Sequence, residues 1–168
     1  SDGGTVFIVG AKCYDNDNDN STTRIGQVRV YKYTNTNWEQ LGQSISGNYS
    51  NDKFGYSVSI NKEGTRILVG SLGNLSSNMS ISDFNNTVPL SGRVNAYELS
   101  GNVWVPLGQE LLGKDVFDSE IDIFKSELKD EYKDITISLQ NYGYRYGHAI
   151  AMNGDGNIIA ISGNKRFV

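Results

Sequence analysis

Three aspartates alternate with asparagines between residues 15 and 19, which is the spacing of a metal-binding loop. Asp15, Asp17 and Asp19 could supply the first ligands of a calcium ion, because calcium-binding loops place carboxylates at alternate positions. The closing glutamate of such a loop is missing, since positions nine and twelve counted from Asp15 are Thr23 and Gly26. Two interpretations stay open, a calcium site and a solvated polar loop with no cofactor.

Five asparagines lie in the acceptor pattern for N-glycosylation, Asn-x-Ser/Thr. They are Asn20, Asn48, Asn74, Asn78 and Asn85. Four of the five lie in two long connections between predicted strands, which suits a glycosylated surface protein. The general richness of the chain in asparagine explains the same pattern without glycosylation.

The sequence offers no evident catalytic group. His148 is the one histidine and Cys13 the one cysteine, and no nucleophile elbow or metal-ligand cluster is visible. His148 is predicted to replace Ser57 of the preceding repeat on an inner strand, facing a channel or a seam. We therefore expect no enzymatic activity.

The elements that would position these residues are set by an internal repeat. Residues 26–47 read GQVRVYKYTNTNWEQLGQSISG, and residues 92–113 read GRVNAYELSGNVWVPLGQELLG. A second phrase occurs three times, as GGTVFIVGA (3–11), EGTRILVGS (63–71) and DGNIIAISG (155–163). A fixed period of this length indicates a repeat architecture.

Each repeat divides into strand-like runs separated by turn residues. The complete central copy predicts strands at 54–60, 65–71, 93–99 and 103–110, joined by Gly- and Asn-rich turns. Four antiparallel strands per repeat indicate an all-β fold of β-propeller blades, about two and a quarter of them in an incomplete ring. A β-sandwich is the rival fold, although it would not normally repeat side-chain identities so closely.

The repeats resemble the FG-GAP repeat of integrin α-subunit propellers. The resemblance rests on FGYSV (54–58), ILVGS (67–71) and GRVNAY (92–97), and it recurs in the first and third copies. It implies a propeller that binds proteins at a cell surface. Calcium-binding members carry an Asp-rich loop between their first and second strands, where this chain has only NKEG, NGDG or SDGG. The resemblance therefore carries no calcium site over to those turns.

The repeat divides the chain into four parts, all within one propeller segment. We expect a partial blade over 1–53, a full blade over 54–113, an acidic helical insertion over 114–141 and a partial blade over 142–168. Four aromatic residues are predicted to pack between adjacent blades: Trp38, Phe54, Trp104 and Tyr146.

The insertion shows a helical period. Apolar residues recur every three or four positions with acids between them, which predicts an amphipathic helix over about 116–133. These apolar residues are Phe117, Ile121, Phe124, Leu128 and Tyr132. Such a helix would either pack on the rim of a blade or dock on a partner protein.

Composition and loop lengths limit the function. The net charge of −4 disfavours nucleic acid as a partner, and no apolar run is long enough to cross a membrane. The three long connections (12–25, 72–92 and 114–144) are expected at one end of the blades, where binding loops usually lie. We expect an adhesion or assembly module at a cell, extracellular or particle surface, with a glycan-binding lectin or a non-catalytic domain of a surface enzyme as alternatives.

The predicted ring is incomplete, which raises the question of what completes it. The chain begins and ends at a second strand of its repeat, so a head-to-tail join of copies would duplicate one strand. We therefore expect a segment of a longer propeller in preference to self-assembly. If the chain is no longer than this sequence, other protein must cover its terminal sheet edges.

Overall fold

The computed structural model is an all-β protein, as the turn-rich repeats predict. It describes residues 4–15, 24–73, 92–113, 136–140 and 146–163. These residues form three sheets and contain no helix. The helix predicted over 116–133 lies outside the described residues.

Sheet 1 contains the strands of the first repeat. They are β1 (Val6–Ala11), β2 (Gln27–Thr34), β3 (Asn37–Gln40) and β4 (Ile45–Ser46). The strand order is β1-β2-β3, and β4 pairs with the beginning of β2, so β3 and β4 together form one outer edge. All of these pairs are antiparallel.

Sheet 2 contains the central repeat and adds an inner strand. Its strands are β5 (Ser57–Ile60), β6 (Arg66–Ser71), β7 (Arg93–Ser100), β8 (Val103–Pro106) and β9 (Leu111–Leu112). The order is β5-β6-β7-β8, with β9 paired on β7. The register of β6 on β7 repeats that of β1 on β2: Ile67 lies opposite Tyr97 as Phe7 lies opposite Tyr31.

Sheet 3 has one more strand than the sequence predicts. Besides β11 (Ala149–Met152) and β12 (Ile158–Ser162), it contains β10 (Thr136–Gln140), which lies within the insertion. β10 pairs with β12 in parallel, whereas β11 pairs with β12 antiparallel. The two strands expected in the third repeat are present as β11 and β12. β10 is an additional strand, which the helical period of the insertion does not predict.

The outer strand of each complete repeat is broken in two. The prediction of one strand over 103–110 was wrong, since Gly108 interrupts it with φ 75°, as Gly42 interrupts sheet 1 with φ 74°. Glycine adopts this left-handed backbone without steric cost. The Leu-Gly-Gln sequence at both sites therefore forms a kink between the two halves of the outer edge.

The three sheets pack face to face in chain order. One core lies between sheets 1 and 2 and contains Val28, Val30, Ile67 and Val69. A second core lies between sheets 2 and 3 and contains Leu68, Val94, Ile159 and Ile161. Ile67 and Val69 face one neighbour and Leu68 faces the other, because successive side chains of a strand point to opposite faces. Sheet 2 is thus covered on both sides, which explains why RILVG is nearly continuously apolar.

Backbone contacts between sheets recur at matched positions of the repeat. Gly26 forms an isolated parallel bridge with Phe54, and Gly92 forms one with Tyr146. A Cβ on either glycine would collide with the carbonyl oxygen of its bridge partner. These Gly positions recur in the sequence because the next sheet approaches them at backbone distance.

Candidate interaction surface

The two ends of the stacked sheets differ in the length of their connections. Short turns such as 35–36, 61–65 and 101–102 join strands at one end. At the other end, which we name the long-loop end, the chain leaves β1, β6, β9 and β10 and enters β2, β7 and β11. The segment from Gly47 to Tyr56, which links sheet 1 to sheet 2, crosses this same end. The predicted separation of long and short connections matches the strands of sheets 1 and 2. It is wrong for the connection 114–144, because β10 pairs in parallel with β12 and therefore begins at the short-turn end.

A buried ion pair lies beneath the long-loop end. The guanidinium of Arg93, at the first residue of β7, binds the carboxylate of Asp52, which lies in the segment between sheets 1 and 2. Both side chains are at most 1% exposed. The ring of Tyr49 covers the guanidinium, with its centroid 4.1 Å from the Arg93 Cζ atom. Cation–π contact of this kind favours the charged arginine in a desolvated place.

A further acid completes this group. Glu110 lies 3.9 Å from Nε of Arg93 and accepts a hydrogen bond of 2.9 Å from the side chain of Asn95. Burial raises the pKa of Asp52, and the Arg93 charge opposes that rise. Breaking a buried pair of this kind by removing one partner typically costs about 3–5 kcal/mol. The ion pair therefore links the segment 47–56 to β7, because loss of either partner would leave a buried charge uncompensated.

The inner edge of the long-loop end carries a row of side chains from all three sheets. Nζ of Lys12, which follows β1, lies 5.0 Å from the ring centroid of Tyr56. The Tyr56 and His148 rings lie 5.5 Å apart between centroids, just before β5 and β11. Lys12 is exposed and the two rings are half-buried. The row offers one cation, one phenol and one imidazole to whatever binds at this end.

The position of His148 corrects its predicted equivalence. Gly147 occupies the place of Gly55, since Gly147 approaches Gly70 as Gly55 approaches Gly10. His148 is therefore the counterpart of Tyr56, not of Ser57. Its ring lies half-buried against Tyr56 at the seam between sheets 2 and 3.

Of the predicted calcium ligands, the structure describes only Asp15, which is half-buried after β1. Asp17 and Asp19 lie outside the described residues. Among the described residues, no three acidic, histidine or cysteine side chains come together as a metal site.

Of the predicted glycosylation positions, Asn48 is described and is exposed on the segment between sheets 1 and 2. Asn20, Asn74, Asn78 and Asn85 lie outside the described residues. The predicted partner-contacting residues of the insertion, Phe117, Ile121, Phe124, Leu128 and Tyr132, also lie outside them.

The four predicted packing aromatics have different surroundings. Phe54 is 2% exposed within the first core, and Tyr146 packs against the second. Trp104 is 3% exposed between sheets 1 and 2, where its indole N–H donates to the Leu41 carbonyl oxygen at 2.8 Å. Trp38 is 47% exposed, so the prediction that it packs between sheets is wrong for the described residues. The reason is that sheet 1 covers Trp104, whereas no described sheet lies on the Trp38 side.

Sequence reasoning missed the Asp52–Arg93 pair. The repeat places Arg93 at the position of Gln27, which is also buried, so the exchange of a neutral side chain for a charged one was a visible signal. Its partner was not evident, because Asp52 lies in the segment 47–56, and the insertion occupies the corresponding part of the second repeat. The ion pair is therefore evident only in the folded structure, where the segment 47–56 lies against sheet 2.

No known protein family matches the chain, and no curated protein is significantly similar to it. Within the described part of the chain, no helix is long and apolar enough to span a membrane.

Proposed function

We propose that this chain is a non-enzymatic β-propeller-type module that binds protein partners through its long-loop end. The observation that carries the proposal is the separation of the two ends. The long connections after β1 and β6 join strand ends at one end of the stack, and short hairpins join strands at the other. Variable loops on a rigid scaffold are the usual location of binding residues.

The scaffold under these loops holds polar and aromatic side chains in defined contacts. The buried Asp52–Arg93 pair fixes the crossing segment, and Lys12, Tyr56 and His148 form a row across three sheets. Tyrosine, lysine and asparagine side chains suit protein contacts, because they combine contact area with hydrogen bonding. The resemblance to the FG-GAP repeat supports adhesion or assembly at a cell or particle surface.

A lectin is the second candidate, and one observation bears on it. The connections at the long-loop end differ in length and sequence from one repeat to the next. A glycan-binding propeller would be expected to repeat its aromatic pocket in each blade. The Tyr56 and His148 pair occupies equivalent positions but offers different chemistry, which favours a single protein contact.

The lone cysteine provides a direct test. Cys13 is exposed at the long-loop end, so a bulky polyethylene glycol maleimide on its thiol would obstruct that end. The matched control is Cys13→Ser combined with Thr36→Cys, which places the same label on a short turn at the other end. Both labelled proteins are applied to arrays of extracellular proteins and of glycans.

The proposal expects a protein ligand that the Thr36-labelled protein binds and the Cys13-labelled protein does not. Equal binding by the two labelled proteins would place the contact elsewhere. Binding to glycans alone would favour the lectin, and turnover of a substrate by the unlabelled chain would contradict a non-enzymatic role.

A further inference from the structure

One face of sheet 1 carries an open group of aromatic residues, separate from the long-loop end. We name it the aromatic face, and its residues are Phe7, Val9, Tyr31, Tyr33 and Trp38. Four of the five are at least 38% exposed. Phe7 stacks on Tyr31 at 5.3 Å and meets the edge of Trp38 at 4.7 Å between ring centroids. A contiguous exposed apolar group of this size marks an interaction site more often than a plain surface.

The equivalent face of sheet 2 shows what such a face is built to contact. Its residues occupy the same positions in the repeat and all belong to the core shared with sheet 1: Ile67, Val69, Tyr97, Leu99 and Trp104. The covering surface is the opposite face of sheet 1, which presents Val6, Ile8, Val28 and Val30. An aromatic face in this repeat is therefore complementary to the opposite, smaller-residue face of another sheet.

The chain also carries an open face of that complementary kind. On sheet 3, Ile159 and Ile161 face sheet 2, so Ile158 and Ala160 point away from it. Ala149 and Ala151, which lie opposite Ser162 and Ala160 in the register, share this outer side. We name Ala149, Ala151, Ile158 and Ala160 the alanine face, and all four are exposed. Small side chains on one surface leave room for large aromatic ones on the other.

We propose that the aromatic face of sheet 1 binds the alanine face of sheet 3 in a second copy of this chain. The contact adds one more sheet-to-sheet junction of the kind that already occurs twice within the molecule. It stacks one sheet face on another and does not join the edges of two sheets. The strand that a head-to-tail join would duplicate is therefore no obstacle.

The two faces differ, so the association is heterologous and does not close at a dimer. Each copy that binds through its aromatic face leaves its alanine face open for the next copy. The expected products are a series of dimers, trimers and longer stacks whose proportions rise with concentration. This inference does not depend on the proposed function, because the aromatic face lies away from the long-loop end.

Two single variants and their mixture test the contact. Trp38→Ser removes the largest side chain of the aromatic face, and Ala160→Arg places a charge on the alanine face. Both positions are exposed, and circular dichroism melts check that each variant folds as the wild type does. Val103→Ser, which alters a 51% exposed residue of sheet 2, is the matched control.

Analytical ultracentrifugation from micromolar to submillimolar concentration supplies the result. The wild type and Val103→Ser are expected to show a weight-average sedimentation coefficient that rises with concentration through dimer and larger species. Each face variant alone should remain monomeric. An equal mixture should form a heterodimer and nothing larger, since Ala160→Arg keeps its aromatic face and Trp38→Ser keeps its alanine face.

Three results would overturn the inference. They are a wild type that stays monomeric throughout, an association that stops at a dimer, and a mixture of the two variants that fails to associate. A wild type that stays monomeric would indicate that the aromatic face does not bind a second copy of this chain. The second would indicate that two aromatic faces bind each other.

Discussion

At the scale of single residues, the glycines explain more of this protein than any polar side chain does. Gly10 and Gly70 occupy equivalent positions in consecutive repeats. Each lies against the glycine that precedes the inner strand of the next sheet, which is Gly55 before β5 and Gly147 before β11. A Cβ at Gly70 would lie 2.5 Å from the carbonyl oxygen of Gly147, and one at Gly10 would collide with the carbonyl oxygen of Gly55. These positions are glycine because the neighbouring backbone occupies the space of a side chain.

Gly70→Ala is therefore expected to destabilise the fold by about 1–3 kcal/mol, as overpacking in a dense core does. Gly154→Ala is the matched control, because its Cβ would meet nothing nearer than Lys62 at 3.6 Å. We expect that control to change the free energy of unfolding by less than about 0.5 kcal/mol. Urea unfolding of the two variants measures the difference, and equal effects would show that sheets 2 and 3 do not approach at Gly70.

At the scale of the elements, the sequence predicts most hairpins, and the reason is local chemistry. Asn61 and Asn153 each begin a turn that ends in a glycine with φ 72°, and each side-chain oxygen accepts two backbone N–H bonds. Such turns are readable without tertiary information.

The sequence fails where a neighbouring sheet decides the outcome. Trp38 and Trp104 are identical in local pattern, yet one is 47% exposed and the other 3%. The kink at Gly42 is likewise not predictable from the local sequence. Beside this kink, the side chain of Gln43 donates a hydrogen bond to the Trp104 carbonyl oxygen and accepts one from the Trp104 backbone N–H, each at 2.8 Å. Trp104 lies on the next sheet, so the local sequence does not reveal this contact. Arg93 likewise needed Asp52 from another sheet.

Two tyrosines that pack against the cores make the stability of the fold depend on pH in the alkaline range. Burial raises the pKa of Tyr97 on β7 to about 12, with Glu110 adding to the rise, and burial raises the pKa of Tyr146 to about 12. The unfolded chain releases these protons near its ordinary pKa of 10.0, so the folded state binds more protons between about pH 10 and 12. Stability from both tyrosines is therefore complete below pH 10 and is lost as pH rises toward 12.

Melting temperatures measured from pH 9 to 12 should fall more steeply for the wild type than for Tyr97→Phe or Tyr146→Phe. Each tyrosine contributes at most about 1.4 kcal/mol per pH unit over that interval. Val103→Ser, which alters an exposed residue without an ionisable group, is the control and should keep the wild-type slope. A slope unchanged in both buried variants would contradict the burial of these rings between the sheets.

At the scale of the whole molecule, one rule accounts for the fold, the interaction surface and the proposed association. Sheet 2 presents one face to sheet 1 and the other face to sheet 3. Antiparallel pairing within the sheets sends the long connections after β1 and β6 to one end, where we propose that a protein partner binds. It also leaves two unlike faces open, one aromatic and one of small residues.

The environment of the two repeat-equivalent tryptophans tests this stacking most directly. In the Trp38→Phe protein, Trp104 is the remaining tryptophan. In the Trp104→Phe protein, Trp38 remains. Acrylamide quenching of each variant at dilute concentration reports how far solvent reaches the indole. The account predicts blue-shifted, weakly quenched emission from Trp104 and red-shifted, strongly quenched emission from Trp38. Equal quenching of the two would show that sheet 1 does not cover sheet 2, and the stacked arrangement would be wrong.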